Sequence, residues 1–205
     1  MQSVDDSHWQ QIYTSKSEEM LSWHQAVPTL SLELIREFAR PGSSVIDVGG
    51  GSSTLVGMLV HEGFSPCTVL DISQSALDGA KRRLVPSTVS KIDWRVGDVL
   101  RESNLPLHDV WHDRAVFHFM IEPEERAAYV ALAERTVAAQ GKLILGTFGL
   151  DGPERCSGLP VQRYDADSLA QQFEQNFRLQ RQVHEVHHTP WGAEQSFLYI
   201  VMERR

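Results

Sequence analysis

Cysteine is scarce. Two residues in 205, Cys67 and Cys156, give no disulfide framework to a chain of this size. Long apolar runs are missing as well: the longest, such as Leu198-Tyr199-Ile200-Val201-Met202, is strand-sized, against the roughly 20 residues of a membrane helix. Basic charge is in deficit, with 19 Lys and Arg facing 27 Asp and Glu for a net charge of −8. That balance argues against a general electrostatic grip on nucleic acid or an anionic membrane. There is no Cys-x-x-Cys and no paired-histidine helix. His187 and His188 are neighbours on an expected strand, where side chains point to opposite faces, so no metal is assigned. The first residues, Met1-Gln2-Ser3-Val4-Asp5-Asp6-Ser7, are polar and lack the apolar core of a signal peptide. What remains is an ordinary cytoplasmic globule, monomer or homodimer, with length for one substantial core.

What is present centres on Val45-Ile46-Asp47-Val48-Gly49-Gly50-Gly51-Ser52-Ser53-Thr54. A short buried strand runs into three glycines, then into side-chain oxygens where a helical pattern begins. Such a turn brings a ligand close to bare backbone N–H groups. Around it, strands expected at 44–48, 67–71, 92–96, 109–117 (the last running into a loop or short helix) and 142–147 alternate with helices at 30–39, 53–61, from Ser73 to Pro86, and from Pro123 to about Ala139, where Gly141 closes the last. A loop from 149 to 163, a helix over 165–177 and two strands near 178–187 and 196–204 finish the chain. Alternation implies a doubly wound α/β sheet, mostly parallel. The turn Thr189-Pro190-Trp191-Gly192 is too short for a crossover, so the last strand is expected antiparallel.

A nicotinamide or flavin site needs Gly-x-Gly-x-x-Gly, and Thr54 stands where its third glycine belongs. Asp47, ahead of the turn, instead suits a cofactor with a positive group. Asp71, ending the second strand, can accept both ribose hydroxyls, and Gly97-Asp98 can address an adenine amino group. In series, Asp47-x-Gly49-x-Gly51, Asp71 and Asp98 resemble the first three motifs of class I S-adenosylmethionine-dependent methyltransferases. The resemblance covers about 29–204 and implies that family's seven-stranded Rossmann-like sheet, S-adenosyl-L-methionine as cofactor and S-adenosyl-L-homocysteine as product. It implies cofactor contacts from Asp47, Gly49, Gly50, Gly51, Ser53, Asp71, Ile72, Asp98 and Val99; His118 shields the cofactor or acts as a base.

Ligands in this fold sit beyond the carboxyl ends of the strands, which directs attention to His112-Asp113-Arg114. The stretch from Asp109 to Ala115 is similar to one in thiopurine-methyltransferase-like small-molecule S-methyltransferases, which implies that Arg114 belongs to the acceptor pocket. A fixed guanidinium there can stabilise a thiolate. Asp113 and His112 join Arg114 as catalytic candidates; otherwise Asp113 and Arg114 form an ion pair holding the strand end, and His112 serves as base or faces solvent. The aromatic segment with Trp9, Tyr13, Trp23 and His24 looks like a lid, so residues 1–28 are expected to roof a methyltransferase domain over 29–205. Cys156, Arg163, Tyr164 and Trp191 are candidate pocket residues from the late loops. The reading is therefore a methyltransferase for a small-molecule acceptor, first a thiol. A protein-lysine methyltransferase and a non-catalytic S-adenosylmethionine-binding protein stand as alternatives.

Overall fold

The computed structural model describes residues 6–15 and 17–205; Met1 to Asp5, at the head of the expected lid and of the polar stretch read for a leader, lie outside them. In chain order the helices are α1 (Asp6–Ser15), α2 (Thr29–Phe38), α3 (Leu55–His61), α4 (Gln74–Arg83), α5 (Pro86–Val89), α6 (Pro123–Thr136) and α7 (Ala166–Gln171). The strands are β1 (Val45–Val48), β2 (Cys67–Asp71), β3 (Ile92–Val96), β4 (His108–Arg114), β5 (Val137–Phe148), β6 (Arg155–Cys156), β7 (Leu159–Pro160), β8 (Phe177–His188) and β9 (Glu194–Arg204). Seven strands form one sheet, in the order β3-β2-β1-β4-β5-β9-β8. The pairs through β5 are parallel, and β9 is antiparallel to both of its neighbours. The expected doubly wound α/β sheet with an antiparallel last strand is the fold observed.

Every residue of β1 and β2 is buried, as strands covered on both faces require. Ile46, Trp111, Leu143, Ile144, Leu145 and Ile200 form the centre of the core at 0 % exposure. Burying an aliphatic side chain of this kind is worth about 1.5–3 kcal/mol relative to leaving it in water. The final hairpin inserts its second strand, so β9 lies inside the sheet and β8 at the edge. Composition explains the choice: Phe197 to Met202 is wholly buried, whereas Arg178 to Gln182 is exposed.

Three boundaries depart from the sequence pattern. Pro86 opens α5 at its first turn instead of ending α4, a position where its missing N–H costs nothing. Helix α6 stops at Thr136, because buried Val137 already pairs with His108. The register then shifts before Val110 meets Lys142, with Gln140 at φ 63°, so Gly141 lies in a bulge of β5 and does not close the helix. The expected helix over 165–177 shortens to α7, capped by Asp165 accepting from Ser168 N at 2.8 Å. Phe177 is claimed by the sheet.

Candidate active site

The carboxyl ends of β1 to β4 open into a cleft of about 930 Å³. Its floor is the glycine turn. Gly49 and Gly51 have φ of +65° and +41°, the left-handed region that side chains avoid. A Cβ on Gly50 would lie 2.6 Å from Asp47 Oδ2 and 2.8 Å from Val69, and one on Gly51 would lie 2.8 Å from Asp71 Oδ2. The backbone is therefore pressed against two carboxylates.

Asp47 is 3 % exposed. Its Oδ1 lies 2.7 Å from His112 Nδ1, while Oδ2 is buried without a partner. An unpaired buried carboxylate oxygen is costly and marks a place for a donor. Asp71 accepts from Ser73 N at 2.8 Å; burial, helped by the charge of Asp47, pushes its carboxyl up to about 7. Asp98 accepts from Leu100 N at 2.9 Å. Ile72, Val99 and Glu125 line the same cleft. Ser53 Oγ accepts from Leu55 N at 3.1 Å, and its carbonyl receives Arg83 of α4.

Not every expected site residue reaches the cleft. His118 is wholly buried among Phe119 and Phe148, both ring nitrogens unpartnered, and burial pushes its imidazole down to about 3. It is a neutral residue beneath the site and does not line the cleft. Asp113 neither pairs with Arg114 nor faces the cleft. Fully buried, it accepts from Val116 N at 2.8 Å, Phe117 N at 3.0 Å and the Tyr129 hydroxyl. It thereby holds the turn after β4, where Ala115 sits at φ 72°. His112 does not face solvent. Its Nε2 lies 2.9 Å from Ser31 Oγ, so both ring nitrogens are engaged and neither is open to take a substrate proton. Arg163 braces its loop through the carbonyls of Leu150 and Gly152 at 2.8 and 3.0 Å. Tyr164 stacks on Phe117 in the core, 3 % exposed.

Arg114 does line the cleft. It donates from Nε to the Tyr199 hydroxyl at 2.9 Å and from Nη1 to the Trp23 carbonyl at 3.0 Å, over the Phe197 ring. Its Nη2 is buried without a hydrogen bond, 4.0 Å from Glu185 Oε2. Tyr199 and Ser31 were not read from the sequence. The ring of Tyr199 fits because Gly146, its partner across β5 and β9, has no Cβ: one there would lie 2.7 Å from the ring.

The roof is the amino-terminal segment. Helix α1 is tied to the start of α4 by Gln10, whose Oε1 accepts from Ser73 Oγ at 3.0 Å. Trp9 meets Trp23 and Phe119 edge-on at 5.8 and 5.2 Å, and Tyr13 meets Trp23 at 6.0 Å. The strap over 17–28 is held at four further points. Glu18 pairs with Arg83. His187 Nε2 meets the Ser22 carbonyl at 2.7 Å. Gln25 donates to Glu185 at 3.1 Å, and Thr54 donates to the Ala26 carbonyl at 3.1 Å. Tyr13 and Trp23 divide the cleft, and behind them a second compartment of about 570 Å³ holds His24, Asp47, Gly50, Ser53 and His112. Cys156 forms part of the wall, with burial pushing its thiol up to about 11. Trp191 is 59 % exposed at the β8–β9 turn, outside the cleft. No cluster of three or more metal-ligating side chains occurs among the described residues.

The orphaned Asp47 oxygen and the glycine cradle fit an ammonium; Asp71 and Asp98 fit a ribose and an adenine edge. Residues 45–141 match a family model described as a methyltransferase domain, a stretch running from β1 into β5 that contains all three strand-end acids. No curated protein matches the chain by sequence. Among solved structures, a protein from work on conversion of a disulfide bond into a thioacetal group during echinomycin biosynthesis aligns with TM-score 0.78 and 16% identity, over 97% of this chain and 92% of that one. The N-methyltransferase NodS from Bradyrhizobium japonicum, in complex with S-adenosyl-l-homocysteine, aligns with TM-score 0.69 and 16% identity, over 86% and 84%. The 1,6-didemethyltoxoflavin-N1-methyltransferase from Burkholderia thailandensis does so with TM-score 0.69 and 16% identity, over 94% and 80%. At such identities the likeness is one of fold.

Proposed function

We propose that this methyltransferase, whose cofactor is S-adenosylmethionine, methylates a small-molecule acceptor, with a thiol or another soft nucleophile as the first choice. The observation that carries the small-acceptor reading is the roof. Trp9, Tyr13 and Trp23 cover the cleft, and the strap behind them is pinned to the sheet by Arg114 and His187. A covered cleft suits a molecule that can be enclosed, and weighs against a lysine presented on a protein surface.

When bound, S-adenosylmethionine supplies an activated methyl group on a cationic sulfur and leaves as S-adenosylhomocysteine. The chain's own work is to hold, align and exclude water. Asp47, Asp71 and Asp98 bind by hydrogen bonding and charge, and the glycines admit the close approach. The aromatic roof keeps water out. For a proton the three candidates read from the sequence offer little: both nitrogens of His112 are engaged, Asp113 is consumed by three donors, and His118 is sealed below. An acceptor that ionises more readily than an amine or hydroxyl group gives up a proton, as a thiol does at about pH 8.5, suits such a site. Arg114 has one buried N–H group without a hydrogen bond with which to favour a thiolate. Sulfur is also the element handled by the structural relative from echinomycin biosynthesis, where a disulfide becomes a thioacetal; this supports S-methylation of the thiopurine-methyltransferase-like kind without excluding the nitrogen acceptors of the other two. Among the described residues no helix is long and apolar enough to cross a membrane, and a cytoplasmic monomer or homodimer that binds no nucleic acid completes the proposal.

Screening purified protein against thiols, amines, hydroxyls and carboxylates tests it. Turnover of thiols is expected. Turnover confined to protein substrates would refute the small-acceptor reading.

A further inference from the structure

The three strand-end acids are divided between the two compartments. Asp71 and Asp98 line the cleft itself. Asp47, with its unpartnered oxygen, lines the compartment behind Tyr13 and Trp23. A donor that uses all three acids must cross from one to the other. At the crossing, Tyr13 and Trp23 stand above and Gly49 below, and each lines both compartments.

The Tyr13 hydroxyl is brought down onto the glycine turn. A Cβ on Gly51 would lie 2.8 Å from Tyr13 Oη and 2.8 Å from Asp71 Oδ2, so phenol and carboxylate converge on one point above the turn. Burial, helped by the charge of Asp71, pushes the ionisation of the phenol well above the ordinary 10. Tyr13 therefore offers a neutral O–H donor beside three glycines that have no side chain to offer.

The helix is fastened so as to keep it there. Gln10 precedes Tyr13 by three positions and shares its face of α1. Its Oε1 accepts from Ser73 Oγ at 3.0 Å, and Ser73 N in turn donates to Asp71 Oδ1 at 2.8 Å. Just beyond α1, Glu18 pairs with Arg83, which also donates to the Ser52 and Ser53 carbonyls. Both ties lead to Asp71 and the glycine turn.

We propose that Tyr13 is a donor-binding residue, its hydroxyl hydrogen-bonding S-adenosylmethionine where that molecule crosses between the compartments, and that Gln10 is the positioning residue that holds α1 in place for it. The roof helix then grips the donor as well as covering the acceptor. The proposal rests on the methyltransferase reading above and moves Tyr13 from the acceptor's wall to the donor's.

Calorimetry with S-adenosylhomocysteine on the full chain tests it, in a double-mutant cycle of Tyr13→Phe and Gln10→Ala. Tyr13→Phe keeps the ring against Trp23 and removes only the hydroxyl; it should weaken S-adenosylhomocysteine at least fivefold. Gln10→Ala should weaken it at least threefold. Because Gln10 acts through Tyr13, the double variant should bind less than twofold more weakly than Tyr13→Phe alone. An unchanged or tighter dissociation constant in Tyr13→Phe overturns the proposal, as a phenol that only walls the acceptor or obstructs the crossing would give. Wild-type affinity in Gln10→Ala, or losses that multiply in the double variant, would overturn the role given to Gln10. Failure of the wild-type chain to bind S-adenosylhomocysteine at all would instead bring down the methyltransferase reading, and this proposal with it.

Discussion

Asp71 is expected to couple donor binding to pH. Burial raises its carboxyl from the ordinary 3.8 to about 7, so the folded chain without donor binds that proton more tightly than the unfolded chain. By linkage, this group's contribution to stability is complete below about pH 4 and is lost as pH rises through about 7. Ribose hydroxyls need the ionised form as acceptor. Affinity for S-adenosylhomocysteine should therefore fall by about tenfold per unit as pH drops below 7, and Asp71→Asn should flatten the profile; calorimetry between pH 5.5 and 8 reads both. At pH 8, Asp71→Ala should cost roughly 1–3 kcal/mol of binding, the scale of hydrogen bonds to a charged group. An unchanged dissociation constant would contradict the site. Tyr129→Phe probes a different kind of residue. The hydroxyl donates to Asp113 and accepts from Trp111 Nε1 at 2.9 Å, so its loss strands the buried Trp111 N–H and removes one of three donors to Asp113. We expect roughly 1–3 kcal/mol of destabilisation in urea, with affinity for S-adenosylhomocysteine nearly unchanged if Asp113 supports the β4 turn without touching ligand. Asp113 looked catalytic in the sequence because it adjoins Arg114. Its true partners, Val116, Phe117 and Tyr129, lie 3, 4 and 16 positions on, and nothing in the dipeptide points to them.

At the scale of elements, the strand–glycine–helix unit and the acids ending β2 and β3 were legible because each is announced locally, by a short apolar run and its punctuation. The roof was legible as aromatic composition but not as a fastened strap. Its pins join Trp23 to Arg114 and Ser22 to His187, residues 91 and 165 apart, and no periodicity encodes such pairings. Nor did hairpin patterning reveal that β9 would insert beside β5. That preference follows from which strand can be buried on both faces. The glycine turn yields a sharp expectation. Gly50 has no positive φ to excuse it; it is required because a Cβ would press on Asp47 and Val69. Gly50→Ala should weaken S-adenosylhomocysteine at least tenfold, about 1.4 kcal/mol, by displacing Asp47, and titration of the purified variant measures it. Wild-type affinity in that variant would mean the turn does not hold the donor.

The whole molecule joins a matched methyltransferase domain over 45–141 to an amino-terminal roof and a late hairpin on either side of its cleft. The doubly wound α/β class was readable from alternation, and the count of seven strands from the family resemblance. The roofing of the cleft was not, since α1, the strap over 17–28, Arg114 of β4 and His187 of β8 are brought together only by folding. A net charge of −8 disfavours polyanions as partners, in keeping with an enclosed small acceptor. The most direct test is to incubate the protein with S-adenosylmethionine and a mixture of small thiols, with no other protein present, and quantify S-adenosylhomocysteine by mass spectrometry. The account predicts its time-dependent formation with a matching methylated thiol, and loss of most of the signal in Asp71→Ala. Donor binding without S-adenosylhomocysteine from any small acceptor would contradict it.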